Sequence, residues 1–368
     1  MIRIKKLIGY GILALAGALC MAGSHTISQN LTSQQAAERW SSDGEKYAQI
    51  SAFFTKDAAA SESSINNYRS SIRKTLEEAS IKAKHKNGRL WIDAYSGNGS
   101  VEITRKKSKQ KVKIVGVGGD FFLFHPLNML DGYYFSPTEV MKDRLVLEEE
   151  VAWQLFGSTD VEGMSVTIGE KSCKVAGVYR REKGKQEADA YGSSPAIFAP
   201  YELLMELNGK KEVIDCYEML LPNPVKGFAW QKGLKCIGGV DLSTNTGSET
   251  DLSELPVEIL ENSNRFQPIN LIKVLENMGS RSMQRKNIEY PYWENIARAK
   301  ENIAAIRMLL SFIFFIVPLV VLIQYGIKRF KNRKWTFERV KVWVLSKVEE
   351  RKKKKWEEKR NEEEKYNH

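Results

Sequence analysis

Two uncharged apolar runs, one near each end, constrain this chain more than anything between them. The first is Leu7–Gly23, LIGYGILALAGALCMAG. The second is Met308–Ile323, MLLSFIFFIVPLVVLI, extended by Gln324-Tyr325-Gly326-Ile327. A membrane-spanning helix needs roughly 17–25 such residues to cross a hydrocarbon core of about 30 Å. Both runs meet that length, the first at its short edge. The +11 net charge lies wholly outside them. Arg3, Lys5 and Lys6 put +3 into residues 1–6, and residues 328–368 carry 16 Lys/Arg against 8 Asp/Glu, a net +8. That leaves 37 of the 56 basic and 37 of the 45 acidic residues for 7–327, which is neutral. Cytoplasmic flanks of spans collect Lys and Arg. The expected topology is a membrane hairpin: residues 1–6 inside, 7–23 spanning, 24–290 outside, 308–327 spanning and 328–368 inside.

The first run has a second reading. A basic start, an apolar stretch and Cys20-Met21-Ala22 are compatible with a cleaved signal peptide. An uncleaved span is the preferred expectation, and either reading sends residue 24 onward across the membrane. For the second run the rival is a buried core helix. Lys328, Arg329, Lys331, Arg333 and Lys334 follow it at once and favour the span. Pro318 is expected to kink that helix. Ser311 and Pro318 mark a side that faces protein.

The outer segment is long enough for one or two cores. Tyr47–Phe54 alternates, with Ala48, Ile50, Ala52 and Phe54 on one face of a strand. Ile65, Tyr68, Ile72, Leu76 and Ala79 make a helical stripe, which Ser61 or Ser63 can cap. Arg89–Tyr95, a Gly97-Asn98-Gly99 turn and Val101–Thr104 read as a hairpin. Lys111–Val117, Arg144–Leu147, Ser165–Ile168 and Cys173–Val178 read as strands, and Glu149–Phe156 as a short helix. The expected fold is a membrane-anchored extracytoplasmic α/β (α+β) domain with a mixed sheet. Residues 240–290 are less legible: Ser243–Ser253 is a polar loop, and Phe266–Met278 is helical after Pro268. From Pro291 no helix breaker intervenes before the second span. Trp293, Ile296, Ala297, Ile303 and Ile306 share a face that Lys300 interrupts. Residues 291–307 are expected to be a stalk continuous with the span, or else a juxtamembrane packing helix.

Little in the chain points to catalysis. Its histidines are His25, His85, His125 and His368, and none has a second histidine or cysteine at ligand spacing. No phosphate-binding G-x-x-x-x-G-K-[ST] string occurs. Gly116-Val117-Gly118-Gly119 lacks dinucleotide-binding spacing and reads as a turn. Glu148–Glu150 and Glu362–Glu364 read as solvated helix faces. Cys216 and Cys236 allow a disulfide, with buried free thiols the equal or better expectation. No catalytic, cofactor-binding or metal-ligating residue is assigned, and no cofactor is expected.

Five pieces in order resemble the MacB-like periplasmic core domain, the outer domain of MacB/FtsX-type ABC transporter permeases. YAQISAFF and its helix (47–80) open a loose match. KIVGVGGDFF, MLDGYYFS (129–136), RLVLEEEVAWQLFG (144–157), VEGMSVTIGEKSCKVAGVYR (161–180) and SSPAIFAPYELL (193–204) are similar to successive strands, turns and a helix of that family. Gly132, Gly163 and Gly177 fall where turns or close backbone approach need them. The resemblance implies a fold and no active site. Tyr133 stands where family turns often carry Arg. The family permease has three spans after its outer domain, whereas this chain has one and then a charged tail. A half-subunit, an accessory subunit or a diverged stand-alone copy is the expectation.

In that tail Phe337, Val340, Val344 and Val348 form a stripe beside Trp335, Trp343 and several Lys/Arg, as in a helix lying on anionic lipid. The charged stretch after it reads as a solvated helix or as disorder. The implied function is a non-enzymatic membrane subunit, coupling a cytoplasmic ATPase to the outer domain through the stalk. Its implied partners are membrane lipid, a separate ABC ATPase, and another permease subunit or a second copy. Nucleic acid is not an expected partner. The alternatives are a stand-alone surface binding or sensing module and, far behind, an extracytoplasmic enzyme.

Overall fold

The alternation at Tyr47–Phe54 does form a strand, and the segment between the two apolar runs folds around the sheet it joins. The computed structural model describes residues 2–41, 45–58, 60–83, 88–209, 211, 214–242, 252–281, 287–332 and 337–366. In chain order the elements begin with α1 (Ile2–Gln29), α2 (Ala36–Trp40), β1 (Tyr47–Phe54) and α3 (Glu62–Glu78). A long hairpin follows, β2 (Ile92–Arg105) and β3 (Ser108–Gly119), then α4 (Phe121–Phe124) and β4 (Asn128–Gly132). Next come β5 (Arg144–Glu148), α5 (Glu149–Phe156), β6 (Ser165–Ile168), β7 (Lys171–Arg180) and α6 (Lys185–Tyr191). The domain continues through β8 (Ala196–Pro200), α7 (Tyr201–Leu207), β9 (Ile214–Pro222), α8 (Phe228–Gly238) and β10 (Val257–Glu261). It ends in α9 (Pro268–Glu276), α10 (Met278–Arg281), α11 (Tyr292–Asn332) and α12 (Phe337–Tyr366).

Among the described residues ten strands form one sheet in the order β10-β1-β9-β2-β3-β8-β5-β7-β4, with β6 pairing β2 and β7. The β3/β8 and β5/β7 pairs are parallel and the others antiparallel, so the sheet is mixed. One face carries the larger apolar core. Ala48, Ile50, Ala52 and Phe54 all lie in it, with Ile65, Ile72 and Leu76 of α3 packed over them. Ser61 caps α3 by accepting the Ser64 N–H at 3.0 Å. Ala79 falls outside the helix and is exposed, so the stripe ends at Leu76. The other face carries Phe53, Ile92, Val115, Phe121, Phe198 and Trp293. It is covered from α2, α4 and the start of α11.

Several expectations need correcting. Gly97-Asn98-Gly99 is no turn: β2 runs straight through it, and the chain reverses after Arg105. Nor is Gly116–Gly119 a turn, since Gly116 and Gly118 lie inside β3. The reason is steric. A Cβ on Gly99 would stand 2.8 Å from Leu204 Cδ1, and one on Gly116 would stand 2.6 Å from Leu204 Cδ2. Two strand glycines make the hollow that seats α7. Glu148 does not lie on a solvated face. It is buried, its Oε2 accepts the Ala196 N–H at 2.7 Å, and Arg181 pairs with it at 2.8 Å. Burial raises the pKa of this carboxyl, and its hydrogen bond with Ala196 and the Arg181 charge oppose that. Cys216 and Cys236 form no disulfide. Cys216 belongs to the core on one face and Cys236 packs against the core on the other. Glu362–Glu364 lie on α12, but their side chains lie outside the described residues, as do His85, His368 and nearly all of the 243–253 loop.

The chain divides into two compact units, Met1–Ala18 with Ser311–His368, and Leu19–Leu310. Within the first, the Ser311 hydroxyl donates to the Gly17 carbonyl at 3.0 Å, and a Cβ on Gly17 would meet the Phe315 ring. Ser311 and Pro318 are buried there, as is Gly17, which gives the pair a protein-facing side. Among the described residues, two helices are long and apolar enough to cross a membrane, within Lys6–Gln29 and Tyr292–Lys331. On α12, Val342 and Leu345 are exposed off the Val340–Val344–Val348 stripe, so its apolar residues are spread around the helix.

Candidate functional site

In the Leu19–Leu310 unit, the segment after α1 and the first turns of α11 meet on the second face of the sheet. Buried polar groups join them there. Arg265, just after β10, is the centre. Its Nε and Nη2 donate to Glu301 at 2.8 and 3.0 Å, and its Nη1 and Nη2 donate to Glu294 at 2.8 and 3.0 Å. Nη1 also donates to Gln34 Oε1 at 2.9 Å. Glu294 accepts a further bond from Arg298 Nε at 2.6 Å, and Arg298 Nη2 donates to Glu258 of β10 at 2.8 Å. Tyr290 donates its hydroxyl to the same Glu258, and the Arg298 guanidinium lies 3.9 Å from the centre of the Tyr290 ring. Glu294, Arg298 and Glu301 recur at spacings of four and three, so one stripe of α11 supplies all three.

Glu294 is fully enclosed, and Glu301 and Arg265 are nearly so. Burial alone would lower the Arg265 pKa, but Glu294 and Glu301 reverse that and raise it. Burial would raise that of Glu294, and the Arg265 and Arg298 charges outweigh it, so the carboxyl is held below its ordinary range. Each charge is therefore kept by its partners. Lys300, which interrupts the apolar stripe in sequence, pairs with Glu187 of α6 at 2.8 Å. The polar break is thus a second clamp on α11.

A second buried network adjoins. His125 Nε2 is bonded to Glu218 of β9, whose other oxygen accepts from Ser51 at 2.7 Å and from Gln49 Nε2 at 3.3 Å. Asn262 donates to Ser51 Oγ at 2.8 Å, three residues before Arg265. Gln49 Nε2 reaches the Ser33 carbonyl at 2.9 Å, and its Oε1 accepts the Ala36 N–H at 3.2 Å. The His125 ring lies 4.2 Å from the Trp293 ring. Serine, carboxylate and histidine are thus together, but both Ser51 and His125 bond the carboxylate. A nucleophilic triad needs serine bonded to histidine and open to substrate. All three are buried to within a few per cent, so the trio holds elements together. Of the four histidines read from sequence, His125 is brought into this network, while His25 is exposed on α1 beside Gln29. Among the described residues no group of three or more His, Cys, Asp and Glu is placed to hold a metal. A cleft of about 1820 Å³ borders the network, with Lys111, Lys113, Tyr290 and Arg298 on its walls.

The family model for the MacB-like periplasmic core domain matches residues 18–224. The chain belongs to that family. Its domain is therefore a MacB-like periplasmic domain related to ABC transporter permeases, and the motif pieces between 112 and 204 fall within the matched span. Gly132 and Gly177 show what the motif fixes. Gly132 has φ +65°, and a Cβ on Gly177 would press on the Asp131 carbonyl at 2.7 Å, where β4 pairs with β7. Curated proteins give no match. Among solved structures, the periplasmic region of MacB from Actinobacillus actinomycetemcomitans is 14% identical, with 60% of this chain and 92% of that chain covered at a TM-score of 0.39. The extracellular domain of the noncanonic ABC-type transporter YknZ from Gram-positive bacteria is also 14% identical, covering 58% and 99% at 0.36. A domain of a putative permease from Porphyromonas gingivalis is 12% identical, covering 62% and 96% at 0.32.

Sequence reasoning missed the Arg265 network. Arg265 lies in the 240–290 stretch, where no period is visible. The i, i+4, i+7 charges of α11 were the available signal.

Proposed function

We propose that this protein is a non-catalytic membrane subunit of a MacB/FtsX-type ABC transport system. In this reading a separate cytoplasmic ATPase supplies the work, and the stalk carries movement between it and the MacB-like domain. The observation that carries the reading is that α11 begins in the buried Arg265 network and continues as one helix to Asn332. A helix end held by several buried ion pairs can pass on a displacement where a loosely packed end would absorb it. Residues 1–6 and 328–368 are cytoplasmic in this reading, 7–23 and 308–327 are spans, and 24–290 with the 291–307 stalk lie outside. Contacts of α1 with α11 support retention of the first run: Ser24 Oγ donates to the Ala304 carbonyl at 3.1 Å, and Arg307 Nη1 to the Gly23 carbonyl at 3.0 Å. The tail helix, with Trp343 and Trp356 exposed among its lysines, would rest on anionic lipid of the inner leaflet.

Affinity capture of the full chain in mild detergent tests the function. Co-purification of a P-loop ATPase with a second permease subunit, or with a second copy, is expected. Capture of neither would reject the reading and favour a stand-alone binding or sensing module. Topology is tested by labelling Val225→Cys from outside and Lys353→Cys only after permeabilisation. The opposite pattern would overturn it.

A further inference from the structure

We propose that α9 is an interfacial helix seated on the outer leaflet of the bilayer, with Ile269 and Ile272 in contact with lipid. The inference rests on reading Met308–Ile327 as a membrane span.

Its first support is where α9 is held. Leu271 and Val274, one turn apart, pack on Ala304, Ala305 and Met308 of α11, with Ile27 of α1 alongside. Met308 is the residue at which the second apolar run begins, and Ile27 lies one turn past Gly23, where the first run ends. One small cluster therefore fixes α9 at the level where both runs give way to polar sequence.

The opposite side of α9 supplies the second support. Ile269 is 56% exposed and Ile272 38% exposed, again one turn apart. Two large apolar side chains on the outer side of a nine-residue helix are ill-suited to water, and at a membrane boundary they reach the acyl chains. Lys273 and Glu276 share that side and are exposed. Lys273 can extend its ammonium to lipid phosphates while its stem lies among apolar groups. A lipid surface satisfies both the isoleucines and the lysine. A soluble protein partner would need no placement at the ends of the two runs.

Depth measurement on the full chain in phosphatidylcholine–phosphatidylglycerol vesicles tests this. Cys20 and Cys236 are replaced by alanine, and the buried Cys173 and Cys216 are kept. A nitrobenzoxadiazole probe is then placed singly at Ile272→Cys, Val225→Cys or Ile316→Cys. Quenching is read with lipids spin-labelled near the headgroup or near the chain end. At 272, headgroup-proximal labels should quench roughly twofold more strongly than deep ones, as for a helix at the interface. At 316 the deep labels should win, and at 225 neither should act. A 272 probe that behaves like 225 while 316 is quenched overturns the proposal and leaves the span reading standing. A 272 probe shielded from aqueous quencher but untouched by labelled lipid also overturns it, in favour of a protein contact. Loss of quenching at 316 rejects the span reading itself.

Discussion

The two faces of the sheet bury similar aliphatic and aromatic side chains, yet they are stabilised in different ways. The first face is closed by apolar side chains from α3, α5, α7 and α8, and its specificity is steric. Leu204 fits because Gly99 and Gly116 lack a Cβ. The second face is closed partly by charge: Gln49, Ser51, His125 and Glu218 lie beneath it, and Arg265 is locked between Glu294 and Glu301. An apolar face tolerates substitution as long as volume is kept. A buried ion network tolerates loss of neither partner alone. The segments that join the domain to its two apolar helices dock on the second face. Position there is thus set by directional bonds, the kind of contact that fixes register.

The largest expected effect comes from removing the central cation. Arg265→Met should cost about 3–5 kcal/mol in denaturant unfolding of the detergent-solubilised chain, because two buried carboxylates lose their partner. Adding Glu294→Gln and Glu301→Gln should restore most of it. A cost no larger than that of a surface substitution would erase the contrast between the faces. Overpacking probes the first face: Gly116→Val should cost about 1–3 kcal/mol through Leu204, by the same assay. Pairing it with Leu204→Ala should recover part of the loss, and additive costs would show that the hollow is not what seats α7.

A third test sits where β9 meets β2. Cys216 pairs with Ser96 and Ile214 with Gly97, which leaves Asp215 as the bulged residue. Its Oδ2 accepts both the backbone and the side-chain N–H of Asn98, at 3.1 and 3.3 Å. Burial pushes its pKa up to about 6 from an ordinary 3.8, partly offset by those bonds. A raised folded pKa means that the stability from the protonated form is present below about 4 and lost as pH rises through about 6. Asp215→Asn should remove that decline and leave the protein more stable at pH 7, by on the order of 2 kcal/mol. An unchanged pH profile would reject the assignment. Glu294 has the opposite sign. Its carboxyl is held low, so its contribution is present above the ordinary glutamate range and lost on acidification, a loss that Arg265→Met should flatten. The smallest effect belongs to a helix end outside either network: Ser61→Ala should cost about 1 kcal/mol by removing the α3 cap.

Much of the first face was legible in the sequence. Ala48, Ile50, Ala52 and Phe54 alternate because one side of β1 meets a purely apolar layer, and Ile65, Ile72 and Leu76 repeat at helical spacing for the same reason. The strands around 144–178 and the short helix at 149–156 were likewise readable. Two glycine clusters misled. Gly-rich strings signal turns when only local conformation is weighed, and here a leucine some ninety residues later in the chain gives the glycines their purpose. The second face was largely hidden. Gln49 and Ser51 look like solvent positions beside an apolar face, yet both are buried by partners from β9 and from the 262–263 turn. Central strand β9 went unassigned, because a strand covered on both sides has no alternation to show.

The sequence by itself determined that two apolar helices bracket a neutral domain, that both basic blocks lie at the ends, and that the domain belongs with the MacB-like periplasmic cores. Length, charge and short-range period carry those properties. Only the tertiary structure decided that Glu148 is buried, that Cys216 and Cys236 lie on opposite faces, and that α11 starts among paired charges. Each of these depends on which residues distant in sequence meet in space. A buried charge pair leaves no periodic trace, because its two halves come from different elements and each half alone looks like surface.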